Sequence, residues 1–336
     1  MFIGLDLGTS HLKGIVIDDA QNVCAEASVS LSLMRPKNGW SEQNPQDWLD
    51  ATENVMASLA NKVNLKKVNA IGLSGQMHGA TLLDKNDNVL RPCILWNDTR
   101  SAEEASYLDS KTIFRNLTGN IVFPGFTAPK LAWVRKHEPN IFEKISKVLL
   151  PKDYLRLWLC GEYVAEMSDA AGTSWLDVKR RDWSDALLAE TDLDRSQMPT
   201  LIEGCEISGV LKKTHASKWG LPHGVIIAGG GGDNAASAIG VGVVKAGDAF
   251  VSLGTSGVLF AASDEYQPDA ASAVHTFCHA LPNTWHQMGV ILAATDAMNW
   301  FGQVLNSSAQ EMTNDLGLLV SRTVCYWPRF LPNRII

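Results

Sequence analysis

Two stretches decide the fold: FIGLDLGTSHLKGIVI at residues 2–17 and AFVSLGTSGVLFAA at residues 249–262. Each reads as an apolar strand, then Leu-Gly-Thr-Ser, then a second apolar strand. Self-similarity at a separation of about one domain marks a duplicated unit. Each copy would open with a hairpin tipped by Gly-Thr-Ser. Beyond the first copy, residues 25–33 alternate as a third strand, so the chain starts as an antiparallel meander. Asn44 then caps a helix, with Pro45 in its first position and Asp47 in its first turn. That helix runs to about residue 63 and places Trp48, Ala51, Val55 and Leu59 on one face.

Further along, residues 68–73 form a strand that empties into Ser74-Gly75-Gln76-Met77-His78-Gly79. Residues 80–83 and 89–95 read as a hairpin turning at 84–88. Helical spacing covers 128–136 and 151–159. Residues 225–228 make a buried-type strand, which enters the run Gly229-Gly230-Gly231-Gly232-Asp233-Asn234 and an Ala-rich helix. The class is therefore α/β, and 336 residues allow about two domains.

Composition excludes several functions. The net charge is −7 and no Lys/Arg cluster forms a stripe, which argues against nucleic acid as a partner. Six scattered cysteines without a C-x-x-C pair read as reduced thiols of a cytoplasmic protein. The first residues carry neither a basic n-region nor a long apolar region, so no secretory signal is expected. No run of about 18 apolar residues occurs, so no membrane span is expected.

The hairpin tips carry the first chemistry. Successive N–H groups in such a turn make a concave anion site, and the Thr and Ser hydroxyls add donors. One Gly-Thr turn alone is an ordinary hairpin feature. Two copies, Gly8-Thr9-Ser10 and Gly254-Thr255-Ser256, with Asp6 just before the first, point to a polyphosphate held from both sides. Asp6 would then hold Mg²⁺ through its water shell, against the plainer reading that it caps its own turn.

Asp233 follows four glycines and can accept a proton from a hydroxyl attacking a phosphoryl group. Helix capping competes as an explanation, but four consecutive glycines are entropically costly for that purpose alone. His78 lies in a loop after a strand, where binding residues tend to lie; a structural histidine accounts for it equally well. Trp96 offers a face for a sugar and Asp98 an acceptor for its hydroxyls. Against that, Trp is more often core, and Asp98 with Arg100 reads as a plain surface pair. His275 and His279 have metal spacing, yet their neighbours read as strand, so zinc is rejected.

Together these residues resemble the FGGY carbohydrate kinases, and within them the xylulokinase branch. The stretches that carry the resemblance are GLDLGTS (4–10), GQMHGATLLD (75–84), ILWND (94–98), GFTAPKL (125–131), LLPKDYLRL (149–157), SDAAGT (168–173), GGGDNA (230–235), SLGTSG (252–257) and HTFCHALP (275–282). The resemblance runs from Met1 to about residue 310. It implies the actin-like ATPase (ribonuclease H-like) fold in two duplicated domains, a sugar-binding domain at 1–245 and a partial ATP-binding domain at 246–336. It implies Asp233 as the base and Asp6 as support for Mg²⁺ and phosphate. It puts Met77, His78, Asp233 and Asn234 around the sugar with Trp96 and Asp98 nearby, and both tips on the phosphates of ATP. The implied reaction makes D-xylulose 5-phosphate and ADP in the cytoplasm. The implied partner is D-xylulose or a related pentulose, with no nucleic acid or membrane and with a homodimer left open.

The chain departs from the family at its fourth glycine in 229–232 and in its length. The ending at 325–336 does not continue the family pattern, and the later Gly-rich segment that cradles adenosine is missing. A truncated or frame-shifted product, or a fragment, is expected. Residues after about 245 would be weakly stable or reliant on a partner, and the apolar helix at 292–301 would lack packing partners. Sugar binding would survive better than turnover. A catalytically inactive sugar-binding remnant is the alternative. A chaperone-type actin-like ATPase ranks low, because the GQMHG and GGGGDN loops have no use there.

Overall fold

The computed structural model describes residues 1–316 other than Thr255 and Leu292. Strands β1 (Phe2–Leu7), β2 (His11–Ile17) and β3 (Val23–Ser30) form the expected meander, with Leu7 opposite Leu12 across the first tip. The period of two sends Ile3, Leu5 and Leu7 into the core and leaves Gly4 and Asp6 on the other face. Helix α1 (Pro45–Lys62) covers the apolar face. Asn44 caps it by accepting the N–H of Gln46. Trp48, Val55, Met56 and Leu59 are fully buried there, each stabilising the fold by roughly 1.5–3 kcal/mol. Gly14 of β2 permits this approach, since a β-carbon on it would lie 2.4 Å from Val55 Cγ1.

Strand β4 (Ala70–Gly75) returns parallel to β1 and sets Ser74 opposite Asp6. Strand β5 (Ile207–Val210) pairs antiparallel with β6 (Ile226–Ala228), which runs parallel to β4. A short β7 (Gly231–Gly232) pairs with the end of β4. The seven-stranded sheet has the order β5-β6-β4-β1-β2-β3, with β7 off the path beside β4. The carboxyl ends of its parallel strands therefore collect the 76–79 turn and the glycine run, the usual place for a ligand site in an α/β sheet.

The hairpin expected at 80–95 forms: it turns where Asp84 accepts the N–H groups of Asn86 and Asn88, Leu83 bridges Val89, and the N–H groups of Leu90 and Ala80 reach Leu82 O and Ile94 O across the arms. Its arms carry their longer ladders on their outer edges, Thr81–Leu83 with Lys147–Leu149 and Cys93–Ile94 with Glu42–Gln43. Pro92 has no N–H to continue the ladder.

Helices α2 (Thr127–His137) and α3 (Pro151–Cys160) match their expected spans closely, and α4 (Asp233–Gly240) follows β7. The second copy then begins. Strands β8 (Ala249–Leu253) and β9 (Gly257–Ser263) repeat the hairpin, and β10 (His275–Cys278) and β11 (Trp285–Ile291) complete an antiparallel sheet of order β8-β9-β11-β10. Its inner half is anchored to the rest of the molecule. Phe260 and Phe277 are fully buried, and the Asn120 side chain exchanges two 2.8 Å hydrogen bonds with the backbone of Thr276. Its outer half is open: Leu253 of β8 is 72 % exposed. Helix α5 (Thr295–Leu305) occupies most of the span expected to be helical, with Trp300 at 64 % exposure. Exposed apolar residues are thus concentrated on β8, α5 and the end of β11, whereas Thr276, Phe277 and Cys278 of β10 are buried. The 325–336 ending lies outside the described residues.

Candidate active site

The glycine run is compressed rather than open. Gly230 has φ +77°, and a β-carbon on it would fall 1.9 Å from the Leu73 carbonyl oxygen. One on Gly229 would fall 2.4 Å from Glu203 O, and one on Gly232 3.0 Å from Met77 Cγ. β4, the 203–204 turn and Met77 crowd the loop at Gly229, Gly230 and Gly232, which is why side chains are excluded there.

The run delivers Asp233 as the first residue of α4, with Gly232 in the cap position. Asp233 Oδ1 accepts the N–H of Asn234 at 2.7 Å and its side-chain amide at 2.9 Å. Burial pushes the Asp233 carboxyl up to about 6, with repulsion from Asp6 adding to the rise and the Asn234 bonds opposing it.

A buried ionic cluster underlies this loop. Lys152, Asp153 and Arg156 of α3, with Glu166 and Asp169, are all fully buried. Arg156 donates to Gly229 O, and Ser168 Oγ accepts the Gly232 N–H at 3.0 Å while donating to Glu166. Burial holds the Asp169 carboxyl well above the usual range. Sequence reasoning gave these residues no role. Three charges at positions 152, 153 and 156 of an otherwise apolar helix were the available signal.

Asp6 sits opposite Ser74, whose Oγ donates to its Oδ1 at 3.1 Å. Among the described residues the carboxylate has no other hydrogen-bond partner. Both residues line a groove of about 1070 Å³ along the outer face of β1 and β4, with Gly230, Gly231 and Ala236. Asp233, Met77, His78 and Trp96 are not among its walls. A single carboxylate with one oxygen unbonded suits an ion that keeps most of its water, as Mg²⁺ does. Among the described residues no group of three or more His, Cys, Asp and Glu could hold a metal.

His78 is held from two sides. Its φ is +69°, a conformation that costs a non-glycine residue energy. Its ring stacks on Phe126 at 4.7 Å, and its Nδ1 lies 2.7 Å from Gly172 O. A carbonyl only accepts, so Nδ1 carries the proton, and Nε2 is an acceptor without a partner among the described residues. Burial pushes the imidazole down to about 3, with the Lys130 charge adding to this, so it is neutral. The His78 carbonyl accepts from Lys130 Nζ at 2.7 Å and from Thr127 Oγ1 at 3.2 Å. Lys130 also donates to Gly125 O at 2.7 Å, and burial lowers its ammonium to about 7. Met77 is buried against Gly172 and Gly232.

Two expected sugar contacts are changed. Asp98 is fully buried, with Oδ1 accepting the Arg100 N–H and Nε, and Oδ2 accepting Arg100 Nη2 and the Ser41 N–H. Arg100 also pairs with Glu42 at 2.7 Å and lies 3.7 Å above the Trp40 ring. Asp98 therefore has no oxygen free for a hydroxyl, and its pair with Arg100 is a core feature rather than a surface one. Trp96 is 38 % exposed and turns its Nε1–H to Thr9 Oγ1 at 2.9 Å.

At the first tip, the main-chain N–H groups of Thr9 and Ser10 have no partner among the described residues, and Ser10 is exposed. At the second, Gly254 O accepts both the N–H and the hydroxyl of Thr295, at 3.0 and 2.6 Å. Ser256 is half-buried, and Thr255 lies outside the described residues. No hydrogen bond joins the two tips among the described residues.

Comparison with known proteins follows the same lines. Residues 1–240 match the model of the FGGY family of carbohydrate kinases, N-terminal domain. The xylulose kinase of Escherichia coli K12 is 52 % identical over 309 residues, covering 92 % of this chain and 64 % of its own length. A crystal structure of a xyloylose kinase from Brucella ovis superposes with a TM-score of 0.92 at 59 % identity, covering 94 % of this chain and 66 % of that one. The xylulose kinase structure from Rhodospirillum rubrum gives a TM-score of 0.88 at 29 % identity, covering 93 % and 65 %. The chain thus spans less than two thirds of the length of these relatives. The meander, the parallel return of β4 and the repeated hairpin are the actin-like ATPase architecture shared with these neighbours. With its first 240 residues matched to the family model, the chain belongs to the FGGY family of carbohydrate kinases.

Proposed function

We propose that this chain carries the sugar-binding part and the catalytic base of a kinase that transfers the γ-phosphoryl group of ATP to D-xylulose. Its products are D-xylulose 5-phosphate and ADP. The proposed division is a sugar-binding domain at 1–245 and the opening of an ATP-binding domain from 246 onward. The carrying observation is Asp233, a carboxyl raised to about 6 at the start of α4, directly after Gly232, which packs on Met77, and under repulsion from Asp6. A base with that value is ionised at neutral pH and still a better proton acceptor than an exposed aspartate.

Asp233 takes the proton of the terminal hydroxyl as its oxygen bonds to the γ-phosphorus, and the bond from phosphorus to the bridging oxygen of ADP breaks. Met77, the Nε2 of His78, Asn234 and the exposed face of Trp96 surround the sugar. Gly8, Thr9 and Ser10 at one tip, and Gly254, Thr255 and Ser256 at the other, face the phosphates, with the unpartnered N–H groups of Thr9 and Ser10 as donors at the first. Mg²⁺, held through water by Asp6, would supply charge neutralisation on those phosphates. The uncovered apolar face of α5 favours a second reading, sugar binding without turnover.

A coupled ADP-release assay over a pentulose panel, run beside calorimetric sugar titration, tests both. D-xylulose-dependent ADP release that disappears in Asp233→Ala is the expected result. Sugar binding without ADP release selects the second reading. Absence of any pentulose binding overturns both.

A further inference from the structure

We propose that Thr9 is a positioning residue that clamps the phosphate tip of the first hairpin to the sugar-side loop carrying Trp96, with its hydroxyl committed to the clamp and not to a phosphate. The inference rests on the sugar-kinase reading above.

The hydrogen bonds form one directed chain. Trp96 Nε1–H donates to Thr9 Oγ1 at 2.9 Å, and the Thr9 hydroxyl donates to Gln76 Oε1 at 3.0 Å. Gln76 Nε2 donates to Gln43 Oε1 at 2.9 Å and, at 3.5 Å, to Gly8 O. Gln43 Nε2 donates to the Thr9 carbonyl at 2.7 Å and to Ser32 O at 3.2 Å. The fully buried Trp48 closes the chain by donating to Gln43 Oε1 at 3.1 Å.

Every polarity in it is forced. An indole nitrogen only donates, so Trp96 takes a lone pair of the Thr9 hydroxyl. Gln76 Oε1 only accepts, so it takes the single Thr9 proton. Gln43, fixed by Trp48, fixes Gln76 in turn. Both glutamines are almost fully buried, where an unpaired amide would be costly. Thr9 therefore has no proton left for a phosphate oxygen, and anion binding at this tip falls to the main-chain N–H groups and Ser10.

Trp96 contributes the one exposed side chain of the network, and its own loop is anchored by the Asp98–Arg100 pair. A pentulose seated on Trp96 would thereby tighten the tip where the phosphates bind.

Amide hydrogen exchange on the full chain tests this, together with exchange of the Trp96 indole N–H, assigned with Trp96→Phe. In the free protein, Thr9→Val should speed exchange at the Gly8 amide of the tip, which bonds His11 O, and at the Trp96 indole by about ten- to a hundredfold, as expected when both hydrogen bonds of the hydroxyl are lost. Thr9→Ser should restore both. Saturating D-xylulose should slow exchange at the tip in the unmodified protein and not in Thr9→Val. Unchanged exchange in Thr9→Val overturns the clamp, as does sugar protection of the tip that persists in that variant. Should Thr9→Val fail to fold, Trp96→Phe removes the same donor from an exposed side chain; a tip that exchanges at the normal rate there also overturns the clamp. D-xylulose that protects nothing in the unmodified protein sinks the sugar reading alone, and the free-protein comparison still decides the clamp.

Discussion

Gly230 lies so close to Leu73 that a β-carbon on it would stand 1.9 Å from the Leu73 carbonyl oxygen, and its φ of +77° is one that side chains resist. The loop before Asp233 is thus set by the end of β4, the same strand that places Ser74 beside Asp6. Gly230→Ala should cost at least about 3 kcal/mol, combining overpacking with backbone strain. Urea unfolding measures that loss. Phosphoryl transfer in whatever fraction folds should fall more than sugar affinity does, because the loop displaces Asp233.

The raised carboxyl of Asp233 predicts a pH profile. The base works ionised, so kcat/KM should rise with pH through about 6 and level off above it. Asp233→Asn should remove roughly 10²–10⁴-fold of the rate. A kcat/KM that stays flat between pH 5 and 7.5 would refute this role.

The same shift predicts a stability gain. Asp233 titrates near 3.8 when unfolded and near 6 when folded, so the unfolded chain loses its proton first. Stability is intact below about pH 4, falls as pH rises toward 6, and is constant beyond. Asp233→Asn removes that loss and should stabilise the protein at pH 7 by about 1–2 kcal/mol, allowing for solvent screening. Denaturant curves at pH 4 and pH 7 should show the gain only at the higher pH.

Lys130 works with the opposite sign. Its ammonium is lowered from 10.5 to about 7, mainly by burial. Between those values the unfolded chain binds more protons, so stability should climb as pH rises from 7 to 8.5, by about 1–2 kcal/mol. Lys130→Met should flatten that climb. It should also weaken pentulose binding about tenfold, since the His78 and Gly125 carbonyls lose a shared donor. Calorimetry with the sugar, beside unfolding at several pH values, separates the two effects.

What could be read in the sequence was local. The Asn44 cap, Pro45 and the spacing of Trp48, Val55 and Leu59 fix α1 within one residue, because all of these signals lie inside the helix. The hairpins and their Gly-Thr-Ser tips are equally self-contained. The tightness around Gly230 was not legible, because the crowding atom belongs to Leu73 on another strand. Asp98 looked available because Glu42 and Ser41, which complete its pairing with Arg100, arrive from before α1. Gln43 carries no motif, and Gln76 stands in GQMHG with no role read for its side chain. Their importance appears only when two loops and a helix bring Trp48, Thr9 and Trp96 around them.

Helix α5 gives a final prediction. Trp300 and Val304, one turn apart, and Phe301 and Leu305, likewise paired, are all about half exposed or more. With Met298 they make a continuous apolar face of the kind that monomers normally cover. The chain should therefore bind a fluorescent apolar dye in its native state. Trp300→Gln with Phe301→Gln should remove most of that signal and raise solubility. Pentulose affinity should stay unchanged, because the turn at 76–79 and Asp233 are held by β4 and the cluster beneath it, which α5 does not join. Loss of sugar binding in the double variant would show instead that α5 supports the sugar-side loops.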